Sequence, residues 1–268
     1  MGRTAKTGIP VLMYHALESP NQPCGLSEPG ELLYVLSVAV FRQQMKLLSD
    51  EGFSTVFIED LIATERWPEK AVILTFDDGH VSNFTLALPI LEEFGFKGLF
   101  FITTDWVGKQ GYMSEDQINE LSRRKMSIGG HSHTHPFLNE LGSLEAFHEL
   151  QIPHEFLSRI IGNSITAYSL PGGRRPKAIE SMAEVLGYKT IYTSLPGFFK
   201  PSTNPFLIPR TALKRGMGLE DLRRIIYIDP LSTRSARSRA IIKHAGKKIL
   251  GDLSYTRLRN ILQRLVGI

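Results

Sequence analysis

Residues Ala71-Val-Ile-Leu-Thr-Phe-Asp-Asp-Gly79 decide the reading of this chain. The uncharged run Ala71–Phe76 reads as a buried strand, and parallel sheets covered by helices on the outside are built from such runs. It stops on two carboxylates and a glycine. Comparable runs recur on either side, at Ile9–His15, Phe53–Ile58, Lys97–Thr103, Ser127–His131, Ile165–Pro171, Lys189–Ser194 and Leu207–Lys214. Amphipathic stretches separate them, at Phe41–Glu51, Val81–Phe94, Glu115–Arg124, Leu144–Ile161, Lys177–Leu186 and Leu219–Ile228. Strand–helix alternation at this spacing predicts an α/β fold with a parallel sheet and helices outside it. Seven or eight units in roughly 220 residues fit one closed or nearly closed barrel better than two domains. Glu18–Gly30, rich in Pro, Gly, Ser and Asn, reads as a loop.

The chain has 268 residues, 42% hydrophobic and 22% charged. That balance belongs to a globular protein and excludes a disordered, collagen-like or coiled-coil chain. No run approaches 18 apolar residues, so no membrane-spanning helix is expected. The start, Met1 to His15, holds no apolar leader of the secretory kind. Together with the single cysteine, Cys24, this leads to the expectation of a cytoplasmic protein. Net charge is +4 but unevenly spread. The segment 230–268 carries nine Lys/Arg against Asp252, a balance of +8, and leaves 22 basic and 26 acidic residues elsewhere. The division expected is a barrel at 1–229 and a basic helical extension at 230–268. Such a tail suits peripheral contact with an anionic membrane surface, or is a solvated helical face. Nucleic acid is not expected as a partner, because no aromatic-interleaved basic patch accompanies the charge.

In a parallel barrel the chemistry collects where the strands end. Four runs end in reactive types: Ala71–Phe76 in Asp77-Asp78-Gly79, Ser127–Gly130 in His131-Ser-His-Thr-His135-Pro136, Ile9–Tyr14 in His15, and Ile165–Leu170 in Pro171-Gly172-Gly173. Adjacent aspartates at a strand end repel and are costly to desolvate. Either a divalent cation neutralises one of them, or they cap a helix beginning near Ser82. The histidines favour the cation. His131 and His135 have a common metal-ligand spacing, with His133 pointing the other way. Asp78, His131 and His135 would form a His₂Asp set with open positions, leaving Asp77 free as a base. Trp106 either lines a sugar subsite or packs at the rim. Arg210 either contacts substrate or pairs with a carboxylate of the barrel.

Thr75-Phe-Asp-Asp-Gly79 followed by His131-Ser-His-Thr-His135-Pro136 resembles the first two motifs of the NodB-homology polysaccharide deacetylases, carbohydrate esterase family 4. The likeness runs from about Ile9 to about Ile228. It implies a distorted (β/α)7-type barrel, Asp77 as catalytic base, and Asp78, His131 and His135 as ligands of Zn²⁺; the same donor set accommodates Co²⁺, Mn²⁺, Fe²⁺ or Ni²⁺. It implies a substrate carrying N-acetyl groups on amino sugars, as polysaccharide, oligosaccharide or lipid-linked glycan. In the third motif, Tyr168-Ser-Leu-Pro-Gly-Gly173, Pro171 and Gly172 are retained, and the family role puts the Gly172 N–H at the developing oxyanion. Ser169, however, stands where the family has an arginine that orients the base; Arg174 or Arg175 is the expected substitute. The late family histidine that acts as acid is missing too. Val11-Leu-Met-Tyr-His15, with Phe41–Met45 and Gly52-Phe53, resembles a permuted-motif subgroup typified by poly-N-acetylglucosamine deacetylases. There the acid precedes the Asp-Asp motif, which makes His15 the proton donor to the leaving amine, expected in its protonated form. Two alternatives remain at this level: a deformylase or deacylase of a lipid-linked amino sugar, and a degenerate, non-catalytic carbohydrate-binding barrel, which Ser169 favours.

Overall fold

The computed structural model describes residues 8–64 and 67–227. The basic extension expected at 230–268, and the boundary before it, lie outside the described residues.

The strands are, in chain order, β1 (Ile9–Tyr14), β2 (Leu17–Glu18), β3 (Leu36–Ser37), β4 (Ser54–Thr55), β5 (Ala71–Phe76), β6 (Leu99–Ile102), β7 (Ser127–Gly130), β8 (Ala167–Ser169), β9 (Thr190–Tyr192), β10 (Phe198–Phe199) and β11 (Thr211–Ala212). The helices are α1 (Pro29–Leu32), α2 (Val38–Asp50), α3 (Ile58–Thr64), α4 (Leu88–Glu93), α5 (Glu115–Arg123), α6 (Ser143–Ile161), α7 (Ile179–Leu186) and α8 (Leu219–Ile226). A curled sheet runs in the order β10-β1-β5-β6-β7-β8-β9. From β1 to β9 every neighbouring pair in that order is parallel. The expected (β/α)7-type barrel is therefore the fold.

Closure comes from a short crossing segment. Ile208 bridges to Tyr192 of β9, and three residues on, Thr211 and Ala212 pair with Leu12 and Met13 of β1. The expected strand Leu207–Lys214 is therefore split between two partners. Pro209 lies at the split and has no N–H to extend either ladder. The expected strand Phe53–Ile58 is also shorter, because Ile58 already opens α3, whose first turn carries Glu59 and Asp60. The helical stretch expected at Val81–Phe94 begins with a π-helical turn, Asn83–Ala87, before α4.

Successive strand side chains face opposite sides of a sheet. Here one parity packs inside the barrel, with Val11, Ile73, Leu99, Phe101, Ala167, Tyr192 and Ile208 in one cluster. The other parity, including Leu12, Leu74, Phe100, Ile128 and Ile191, packs under the helices. Counting on from the inner residues by twos reaches His15, Asp77, His131 and Ser169. The inner parity of β1, β5, β7 and β8 thus aims four polar side chains at one mouth. Gly129 shares this parity because the interior has no room for more. A Cβ there would stand 2.7 Å from the Ala167 carbonyl oxygen and from the Phe101 ring.

Candidate active site

Asp77 lies at the centre of the mouth and is 2% exposed. Arg210, 0% exposed, grips it through two hydrogen bonds, Nη1 to Oδ1 at 2.6 Å and Nη2 to Oδ2 at 2.7 Å. The guanidinium is fixed in turn. It donates to Ser169 Oγ at 2.7 Å, to Thr75 Oγ1 at 3.1 Å and, through Nε, to the Thr193 carbonyl at 2.9 Å. Ser169 Oγ donates onward to Asp77 Oδ2 at 3.3 Å. Burial opposes ionisation of Asp77, but Arg210 and His131 outweigh it and hold the carboxyl below its ordinary range.

Two expectations are corrected here. Of the two sequence readings of Arg210, pairing with a carboxylate is the one realised, and that carboxylate is Asp77. Arg174 and Arg175 do not reach Asp77. Arg174 pairs with Glu140 and lies over the Phe137 ring, 3.7 Å from its centroid, and Arg175 faces Glu180 at 3.7 Å. The missing guanidinium is thus supplied from the closing segment, with Ser169 as its hydrogen-bond partner. Ser169 consequently no longer argues for a degenerate site.

Beside Asp77, the ligand atoms of Asp78, His131 and His135 all lie within 4.8 Å of one another. Asp78 Oδ1 is 3.3 Å from His131 Nε2 and 3.5 Å from His135 Nε2. Ligands of a cation at bond lengths of about 2.0–2.2 Å stand roughly this far apart. The aspartates do not cap a helix. His131 Nδ1 donates to the Ser169 carbonyl at 2.9 Å, which turns Nε2 toward Asp78 and fixes the ring, as partners behind metal-binding imidazoles do. Burial, reinforced by His131, lowers His135 to about 4, so its imidazole is neutral and its lone pair free for ligation. His131 is sealed, with its side chain 2% exposed, whereas Asp78 and His135 keep 27% and 29%. The three donors thus have one open side, as hydrolytic metal sites require. The residues present fit a divalent cation.

The backbone around these donors is unusual. Asp78, Ser132 and His135 adopt φ of 77°, 64° and 63°. Left-handed backbone outside glycine concentrates at functional sites, where surrounding bonds must hold it. His133 points away, its Nδ1 3.0 Å from Thr104 Oγ1. The bonds holding the His131–His135 loop come partly from Glu149 of α6, which no sequence signal singled out.

His15 enters the same mouth. Its ring packs on Tyr34, centroids 4.6 Å apart, and its carbonyl accepts from Asn83 Nδ2 at 2.7 Å. Burial lowers its pKa despite the nearby Asp78 and Asp77 carboxylates. The lowered pKa favours the neutral ring. Trp106 packs on His135 at 5.0 Å and on Tyr112 at 4.8 Å, which puts it at the rim of the mouth. Gly172 is exposed at φ 60°, with the Phe137 ring 2.7 Å from where a Cβ would stand.

The strand ends of the parallel barrel thus bring together a clamped aspartate and a carboxylate–imidazole donor set that could hold a metal ion. Residues 64–191, a little under half of the chain, match the family model described as polysaccharide deacetylase, and the chain carries a domain of NodB-homology, carbohydrate esterase 4 type. YxkH of Bacillus subtilis (strain 168), named provisionally for the same family, is 28% identical over 213 residues, 78% of this chain and 72% of YxkH. A poly-beta-1,6-N-acetyl-D-glucosamine N-deacetylase of Escherichia coli (strain K12) is 36% identical over 73 residues, 26% of this chain and 11% of that enzyme. Among solved structures, Streptococcus pyogenes deacetylase PplD in complex with acetate superposes with a TM-score of 0.72 at 24% identity, over 82% of this chain and 98% of that one. This last likeness is one of fold.

Proposed function

We propose that the protein is a metal-dependent deacetylase that hydrolyses N-acetyl groups of an amino-sugar-containing carbohydrate. One observation carries the reading: Asp77, bound two-fold by Arg210, lies beside three donor atoms grouped within 4.8 Å. Asp78, His131 and His135 would hold the cation, with zinc as the default. A divalent cation at such a site supplies Lewis acidity, lowering the pKa of water and polarising a carbonyl.

The chain's own groups do the rest. Arg210 keeps Asp77 ionised and aimed, so that Asp77 accepts the proton of the attacking water at a carboxylate oxygen. Because both guanidinium arms are fixed in advance, little reorganisation is needed at the moment of transfer. The N–H of Gly172 faces the oxyanion that grows on the acetyl carbonyl. His15, neutral at rest, takes up a proton and passes it to the amine as the C–N bond breaks; its lowered pKa makes its imidazolium a ready donor. Trp106 offers an aromatic face to a sugar ring beside His135. The products are acetate and a free amino sugar. The relative named for poly-beta-1,6-N-acetyl-D-glucosamine supports this substrate class.

Acetate release from N-acetylglucosamine oligomers tests the proposal. Asp77→Asn is expected to bind metal and lose about 10²–10⁴-fold in kcat, the usual contribution of a general base. His15→Ala is expected to lose rate without losing metal. Near-normal turnover in Asp77→Asn would overturn the assignment of the base.

A further inference from the structure

The loop between the two imidazole donors, His131 to His135, is held in shape from outside. Glu149 stands on α6, 14 residues beyond His135 in sequence. Its Oε2 accepts the backbone N–H of His133 at 2.7 Å and of Thr134 at 2.9 Å, and its Oε1 accepts Thr134 Oγ1 at 2.7 Å. One carboxylate thus satisfies three donors in two consecutive residues. Charge-assisted bonds of this kind are roughly twice as strong as neutral ones.

The two residues clamped are flanked by the two left-handed ones, Ser132 and His135. The strand side of the loop is tied separately, by Thr103 Oγ1 to the His131 carbonyl at 3.0 Å, by Thr104 N–H to the Ser132 carbonyl at 3.2 Å and by Asp105 N–H to the His133 carbonyl at 2.9 Å. Toward His135 the ties thin out to its own N–H on Ser132 Oγ at 2.8 Å. His131 is further locked by Ser169, whereas His135 has no comparable bond to its ring among those described. The position of His135 therefore depends on the shape of the turn before it, and Glu149 alone holds both N–H groups of that turn and the Thr134 hydroxyl. The same helix residue anchors the neighbouring strand, since its carbonyl accepts Tyr168 O–H at 3.1 Å, next to Ser169.

We propose that Glu149 is a positioning residue for the cation site, holding His135 at ligand distance through the His133–Thr134 turn. It touches neither cation nor substrate. The proposal rests on the metal reading above, and the test separates the two.

The test titrates the full chain, stripped of metal with a chelator, with zinc chloride against a chromophoric competitor. Wild type, Glu149→Leu and Glu149→Gln are compared, and the thermal midpoint of each metal-free protein is recorded alongside. Glu149→Leu is expected to bind zinc 10–100-fold more weakly, the usual effect of removing a partner behind a metal ligand. Glu149→Gln keeps an oxygen for the two N–H groups, and Thr134 Oγ1 can accept from its amide. It is expected within about threefold of wild type, well below the loss for a missing outer-shell partner. A merely structural residue would lower the metal-free midpoint and leave the affinity of the folded protein unchanged. Unchanged affinity in Glu149→Leu overturns the proposal. Should that variant not fold, Glu149→Asp, one methylene too short to span all three donors, takes its place with the same criterion. Wild type that binds no zinc overturns the metal reading itself; wild-type binding matched by the variant overturns only the role of Glu149.

Discussion

At the scale of single residues, the most consequential contact is the one between Asp77 and Arg210. Both are buried, and a charge taken out of water is costly unless it is matched. Removing one partner of such a pair typically costs 3–5 kcal/mol, because the other is left uncompensated. Arg210→Met is therefore expected to lower the unfolding free energy by about 3–5 kcal/mol in urea titrations. Adding Asp77→Leu to it should restore most of that stability while leaving the protein inactive. Wild-type stability in Arg210→Met would contradict the pairing. The acids and imidazoles of this site were legible in sequence because each cluster is local: two adjacent aspartates, and two histidines in a five-residue turn. Arg210 was legible only as two alternatives, and its partner was not, since 133 residues separate it from Asp77. Arg174 and Arg175 are near Ser169 in sequence, but Glu140 and Glu180 engage them. Glu149 left no trace, because a glutamate on an amphipathic helix is indistinguishable from a solvated one until its partners are known.

At the scale of elements, the parity of the strands does the work of assembly. A strand that buries Ala71 and Ile73 inside must send Thr75 and then Asp77 the same way. The same counting delivers His15 from Val11, His131 from Gly129 and Ser169 from Ala167. Alternation of apolar runs and helical stretches was enough to place β1, β5, β6, β7, β8 and β9 and to place α2 and α5 to α8, within a few residues. Besides the short β2, β3, β10 and α1, two elements escaped it for physical reasons. α3 follows β4 without a polar break, so its first residue, Ile58, reads as more strand. The segment Ile208–Ala212 reads as part of one strand, yet Pro209 prevents it from forming one ladder, and it hands over from β9 to β1. That handover is also what carries Arg210 inward between the two.

At the scale of the whole molecule, closing the barrel and arming the base are one event, since the same five residues do both. A second clasp links distant parts of the chain. Thr190 Oγ1 of β9 donates to Glu59 Oε1 of α3 at 2.9 Å, across 131 residues. Burial, aided by Asp60, raises the Glu59 pKa, although its own backbone, Thr190 and Lys189 favour the charged form. A carboxyl raised on folding binds its proton more tightly in the native state. Its contribution is thus fully present below the ordinary glutamate range and is lost as pH climbs through the raised value. Glu59→Gln is expected to remove that part of the slope in a plot of unfolding free energy against pH. An unaltered slope would show that Glu59 titrates normally. Among the described residues no helix is long and apolar enough to cross a membrane.

The central claim is that Asp78, His131 and His135 chelate one cation between them. Metal content of the purified, zinc-equilibrated protein, measured by elemental analysis against protein concentration, tests it most directly. The account predicts about one zinc per chain in the wild type, the stoichiometry of a single three-ligand site, and loss of that zinc in His131→Ala. Equal zinc content in wild type and His131→Ala, or none in either, would contradict it.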